Sequence, residues 1–184
     1  AIEKGADGLI AVAAGAGGHA GQLSPLALIG EIREWFDGPL LLSGAISTGQ
    51  SILAAQAMGA DLAYIGSSFI ATEEANAVEG YKRMITQSNA DDIVYSSLFT
   101  GVHGNYLKPS IANAGMDPDN LPQSDPSAMD FSDKRNRPKS WKDIWGAGQG
   151  IGSVKELVST QARVDQLYQE YVSARQNLWA KSHG

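Results

Sequence analysis

His19 sits in the segment Gly15-Ala-Gly-Gly-His-Ala-Gly21, directly after the apolar run Leu9 to Ala14 and just before Ser24-Pro25. Glycines let backbone come close to a flat or anionic ligand, and an imidazole can hydrogen-bond or move a proton near neutral pH. A glycine-rich turn at the carboxyl end of a strand is where α/β proteins hold ligands. His19 is therefore the first candidate for proton chemistry. The bland reading stands beside it: a loop histidine can also cap a helix or satisfy a carbonyl. No second His, Asp or Glu lies near it at metal-ligand spacing, so no metal site is expected.

Two further turns point to a phosphate. Ser43-Gly44-Ala45 and Gly66-Ser67-Ser68, the latter entered through Ile65, each end a short apolar run. Backbone N–H groups in such turns, at the start of the next helix, can bind phosphate, and the serine hydroxyls can add hydrogen bonds. Glycine and serine also make tight turns with no ligand, and either reading fits one turn alone. Two such turns on consecutive strands favour the phosphate.

Further along, Thr100-Gly-Val-His-Gly-Asn-Tyr106 offers His103 and Tyr106 as pocket candidates, and Gly146-Ala-Gly-Gln-Gly-Ile-Gly152 offers Gln149. A turn with surface polar groups is the competing reading of the first. A plain return of the chain is the competing reading of the second. Lys134, Arg135, Arg137 and Lys139 could meet an anion, although a solvated loop explains them as well.

The elements that must position these residues follow from pattern. Leu9 to Ala14, Leu40 to Leu42 and Leu62 to Ile65 read as buried parallel strands. Ser24 as N-cap and Pro25 at the first position open a helix whose Leu26, Ile29, Ile32 and Phe36 share a face. A second helix spans Thr48 to Met58, and a third is expected from Thr72 to about Gln87, with Glu73 and Glu74 favouring its N-terminus. Lys4-Gly-Ala-Asp7 and Met58-Gly-Ala-Asp61 form a weak repeat, each closing a helix and launching a strand. Strand–loop–helix repetition implies a parallel sheet in an α/β fold, either doubly wound or a (β/α)8 barrel of which about three units are present. Residues 1–88 form this part. Residues 89–150, punctuated by prolines, read as a small cap, mostly helical or irregular, with Trp141 and Trp145 flanking a short helix. Residues 151–184 return as a helix from Ser153 to Lys181.

Composition narrows the function classes. With a formal net charge of −6 and a pI near 5.0, a general nucleic-acid-binding surface is not expected. Cysteine is absent, which removes disulfides, thiolate metal sites and a cysteine nucleophile and suits a cytoplasmic location. No apolar run approaches the roughly 20 residues a bilayer span needs. The chain opens at Ala1 in what reads as the end of a helix, so an amino-terminal part is expected to be missing.

Four segments in order, AGAGGHAG (14–21), LLSGAISTGQSILAAQAMGAD (41–61), YIGSSFIATEEA (64–75) and WGAGQGIG (145–152), resemble the nitronate monooxygenase family, formerly the 2-nitropropane dioxygenases. The resemblance implies the carboxyl-terminal part of a (β/α)8 barrel, with FMN at the strand ends and a substrate cap. It implies that His19 lies beside the flavin and that Gly17 and Gly18 bring backbone to its ring. Ser43, Gly44, Ala45, Ile65, Gly66, Ser67 and Ser68 would serve the phosphate side, and His103, Tyr106 and Gln149 the substrate side. Ala45 departs from a family Gly-Gly pair, which is tolerable if its φ is negative. Ser68 stands where a larger or cationic side chain is often found. The implied reaction is oxidation of alkyl nitronates by O2, with the absent amino-terminal half of the barrel as structural partner. An FMN-dependent NADH:quinone or enoyl-thioester reductase on the same scaffold is the nearest alternative. A non-catalytic module binding a phosphate ligand is the alternative of another class.

Overall fold

Three apolar runs pair as a parallel sheet in the order β1-β3-β4. Strand β1 is Leu9–Val12, β3 is Leu40–Ser43 and β4 is Leu62–Ala63. Ile10 pairs with Leu41 and Leu41 with Leu62, so these three share one face of the pleat. The molecule is a computed structural model that describes residues 1–122 and 142–182. The basic cluster Lys134, Arg135, Arg137 and Lys139, and Trp141, lie outside the described residues.

Helix α1 (Pro25–Arg33) follows β1, and α2 (Gly49–Ala57) follows β3. Ser24 occupies the N-cap of α1 but makes no side-chain capping bond; Pro25 opens the helix. Thr48 caps α2 reciprocally with Ser51, each side chain accepting from the other's backbone N–H. Both helices cover one face of the sheet, burying Ala11, Leu40 and Leu42 against Ile29 and Ala55. The opposite face is open. Ile10 is 51% exposed, Leu62 59% and Tyr64 51%, whereas parallel sheets normally bury both faces. Beneath the sheet, Arg33 bonds the carbonyls of Gly38 and Gly59 and the Asp61 carboxylate, which also accepts the Leu40 N–H at 2.8 Å. This clamp holds Asp61's carboxyl below its usual range, through the Leu40 N–H first and Arg33 second.

The expected helix from Thr72 to Gln87 is broken. A short α3 (Ser67–Ile70) ends at Ala71, and α4 starts only at Glu79 and runs to Gln87. Thr72 instead donates its hydroxyl to Phe69 O and bridges Val158 in parallel. The chain is drawn sideways by a distant partner, which overrides local propensity. Glu74 does favour a helix N-terminus, but that of the last helix, α6 (Thr160–Ser182). It accepts from Thr160 N at 2.8 Å and Thr160 Oγ1 at 2.9 Å. These bonds hold its carboxyl below the ordinary value. The helix expected from Ser153 thus begins at Thr160, and Val154, expected on it, is fully buried in a cluster with Ile93 and Leu107.

Helix α6 packs on α2 through a backbone contact. A Cβ on Gly49 would lie 2.0 Å from Tyr171 N, so the helices touch only because residue 49 has no side chain. Glu170 Oε2 accepts the Gly49 N–H at 2.8 Å, and Tyr171 OH donates to Gln56 Oε1 at 2.7 Å. Val164, Tyr168 and Leu178, expected to supply apolar packing, are largely exposed.

The cap expected to be mostly helical or irregular contains a sheet. Strands β5 (Ile93–Ser96) and β6 (Gly104–Leu107) pair antiparallel, and β2 (Gly18–His19) joins as the third strand in the order β2-β6-β5. Helix α5 (Lys108–Asn113) follows. No described helix separates Trp141 from Trp145; residues 142 and 143 form a turn. One buried cluster draws Ala71 and Ile85, then Ile93, Leu107 and Ala147, then Ile151 and Val154, so packing runs continuously across residues 88 and 150.

Candidate active site

The glycine loop leaves β1 and is held from three sides. Gly15 O accepts the Ala45 N–H at 3.1 Å and the Gln149 N–H at 2.9 Å. The buried Asn105 amide donates from Nδ2 to Ala16 O at 2.7 Å. Ser67 Oγ accepts the Gly148 N–H at 2.9 Å. A Cβ on Gly17 would come 2.7 Å from Gly148 N, and one on Gly148 would come 2.7 Å from Gly15 O. The first and last glycine loops therefore interlock backbone to backbone, and any side chain at either position would part them.

Between the loops lies a polar cavity of about 30 Å³. Gly17, Ser43, Ala45, Gly66 and Ser67 line it. Gly15, Ser47, Gly148 and Gly150 also line it and were not among the candidates. Ser47 donates to Gly150 O at 2.7 Å and meets Ser153 Oγ at 2.7 Å. Its signal was hidden, because a serine just before Thr48 reads as part of a helix start. Gly18, Gly44, Ile65 and Ser68 stand beside the cavity in the chain without lining it. Ser68 is fully buried, and its Oγ has no hydrogen-bond partner among the described residues.

Ala45 breaks the condition set for it. Its φ is +54°, the left-handed region, and among the described residues no other non-glycine has a positive φ. Its N–H already serves Gly15 O and is not directed to a phosphate without losing that bond.

His19 is exposed at the end of β2. The antiparallel register sets His19 opposite Gly104 and Gly18 opposite Asn105. Its Nε2 lies 3.0 Å from Thr100 Oγ1. Gly17, on the cavity wall, is two residues away, so at most about 7 Å of extended chain separates the two. His103 is exposed and stacks on Tyr95 at 5.0 Å, beside an open groove lined by Tyr95, Asp119 and Leu121. Tyr106 is fully buried, with Phe99 edge-on at 4.9 Å, and is a core residue rather than a pocket wall. The side chain of Gln149 lies over Gly15: a Cβ on Gly15 would be 2.9 Å from Gln149 Oε1. Tyr81 anchors the start of the last glycine loop, donating to Gly146 O and stacking on Trp145 at 5.1 Å. Burial pushes its phenol up to about 12. Among the described residues no group of His, Asp or Glu could hold a metal ion, and no helix is long and apolar enough to cross a membrane.

Comparison with known proteins gives this arrangement a family. A probable nitronate monooxygenase of Bacillus subtilis is 28% identical over 91% of this chain and 52% of its own length. The chain thus spans about half the length of the curated relatives it matches. Among solved structures, FabK from Thermotoga maritima superposes with a TM-score of 0.75 at 20% identity, over 98% of this chain and 59% of that one. Nitroalkane oxidase from Streptomyces ansochromogenes superposes with a TM-score of 0.70 at 25% identity, over 96% of this chain and 55% of that one. The nitronate monooxygenase family model matches residues 1–170, and the chain belongs to the nitronate monooxygenase family.

Proposed function

We propose that the protein carrying this chain is an FMN-dependent oxidase of alkyl nitronates. It would take up O2 and yield a carbonyl compound and nitrite. The observation that carries this reading is the placement of His19 two residues beyond Gly17, which lines a polar cavity on the carboxyl ends of β1, β3 and β4. The residues fit a phosphate-bearing cofactor. Glycines and serines line most of the cavity, beside Ala16, Ala45, Ile46, Tyr64 and Ile151, and Ser67 Oγ, by accepting from Gly148 N–H, keeps its own proton to donate. Ser43, Gly66 and Ser67 would hold the phosphate end, and the Gly17–Gly18 backbone would meet the flavin. FMN, when bound, supplies the acceptor for the electron that a nitronate gives up and the route for it to oxygen. His19 would hold the anionic nitro group. With a neutral nitroalkane it would remove the α-proton as general base.

The open face of the sheet supports the wider architecture. Ile10, Val12, Leu41, Leu62 and Tyr64 present the side that would face the interior of a (β/α)8 barrel, where side chains from all strands fill the core. The chain is accordingly read as the carboxyl-terminal sector of that barrel, with residues 89–150 over the strand ends as a cap.

The test uses the full-length protein. It should purify yellow and consume O2 with propionate 3-nitronate. With a neutral nitroalkane as substrate, His19→Asn should keep the flavin and lose turnover by about 100-fold or more, the usual weight of a positioned acid–base group. Rapid flavin reduction by NADH without nitronate would replace the oxidase with a quinone or enoyl-thioester reductase. A colourless protein that does not bind added FMN would leave only a phosphate-binding module.

A further inference from the structure

We propose that Thr100 is a positioning residue that determines which nitrogen of His19 carries the proton. This rests on the reading of His19 as the proton-handling group.

The Thr100 hydroxyl has one proton and two lone pairs, and four groups converge on it. Val102 O accepts from it at 2.9 Å, the Val102 N–H points to it at 3.3 Å, His19 Nε2 lies 3.0 Å away, and the Tyr106 hydroxyl is the most distant at 3.5 Å. A carbonyl can only accept, so the single hydroxyl proton goes to Val102 O. The backbone N–H takes one lone pair. What remains is a lone pair facing His19 Nε2, and only a protonated nitrogen can use it. The neutral ring is thereby held as the Nε2–H tautomer, with its lone pair on Nδ1. The atom that would accept a substrate α-proton is then Nδ1, and Nε2 is the anchored side of the ring.

Strand pairing brings the two residues together across the chain. Gly101, at φ +79°, turns the loop between β5 and β6 and donates its N–H to Ser97 O at 2.8 Å. On the other side, Ala20 N–H donates to His103 O at 3.2 Å, continuing the pairing of β2 with β6. A Cβ on Gly104 would come 2.7 Å from Gly18 O, so the close approach of β2 depends on glycine there. The cap sheet thus delivers the Thr100 hydroxyl to the histidine of the glycine loop. A threonine among turn residues is usually a local backbone partner; here the same hydroxyl serves its own turn and a ring 81 residues away.

Long-range 1H–15N spectra of histidine-labelled, full-length protein test this without any turnover. They are recorded at about pH 9, well above the ordinary histidine range, and His19→Asn assigns the signal. Wild type should show His19 as one species, the Nε2–H form. Thr100→Val, which keeps the shape and removes the oxygen, should show both tautomers, and Thr100→Ser should restore one. An Nδ1–H ring in wild type overturns the proposal even if Thr100→Val does not fold. So does a Thr100→Val spectrum identical to wild type. In turnover of a neutral nitroalkane, Thr100→Val should lower kcat about 2- to 10-fold, the weight of one hydrogen bond, with Thr100→Ser recovering it. If His19→Asn keeps full turnover while the tautomer follows Thr100, the catalytic reading of His19 fails and the positioning stands.

Discussion

Ala45→Gly should stabilise this protein, which is unusual for a change to glycine. Ala45 is held at φ +54° on the cavity wall, with its N–H bonded to Gly15 O. A left-handed conformation costs an L-residue roughly 1–2 kcal/mol, because Cβ crowds the following carbonyl. Glycine removes that crowding. Against this, glycine widens the unfolded ensemble, which costs about 0.4–1 kcal/mol. The difference is a gain of about 0.5–1 kcal/mol, or roughly 1–4 °C in Tm for a domain of this size. Thermal unfolding of full-length wild type, Ala45→Gly and Ala45→Val reads it directly. Valine adds β-branching to the same strained backbone and should lower Tm by about 2 °C or more. Flavin retention should not change in Ala45→Gly, since the Gly15 bond needs only the backbone N–H. A lower Tm for Ala45→Gly together with a neutral Ala45→Val would show that the residue does not adopt the left-handed conformation. Loss of flavin from Ala45→Gly would return its methyl group to the list of ligand contacts.

Gly49→Ala tests the contact between α2 and α6. Helix propensity alone favours alanine by about 1 kcal/mol, but the new Cβ would sit 2.0 Å from Tyr171 N, against backbone that has no rotamer to change. Overpacking of that kind costs about 1–3 kcal/mol, so the urea midpoint should fall and α6 amides should exchange faster; an unchanged or higher midpoint would refute the contact. Glu74 predicts an acid-sensitive start to α6. Its carboxyl is held below the ordinary glutamate range, first by the Thr160 N–H. Its contribution is therefore fully present above the ordinary carboxylate range and is lost as pH falls through the lowered value. The protection factor of the Thr160 amide should fall in wild type below about pH 4.5, and Glu74→Gln should already show the lower protection at neutral pH; equal Thr160 protection in both proteins at pH 7 would dismiss the cap.

Local features were legible from the chain, and features made at a distance were not. Helix α2 announces itself, since Thr48 and Ser51 cap it within one turn. The sheet order follows from apolar runs separated by helices. The cap sheet did not announce itself. Its first strand is Gly18–His19, two residues long and poor in β-propensity, and it pairs with Gly104–Leu107, all four of which are buried and show no alternation. The break after Ala71 was hidden for the same reason, because Val158 supplies the bridge to Thr72.

The candidate site divides along the same line. Residue type marked the loops as candidates, because glycine lets backbone come close to a ligand. It did not identify which atoms serve a ligand and which serve the fold. Ala45 N–H, a natural candidate for a phosphate, is bonded to Gly15 O, and Tyr106 fills the core. Gly17 and Gly148 are required for a reason unrelated to φ: each leaves room for the other's backbone. That requirement exists only once residues more than a hundred positions apart have met. The backbone of the glycine loop around His19 is held by the last glycine loop, and its histidine meets the Thr100 hydroxyl from the loop between β5 and β6. A change in either place should reach His19.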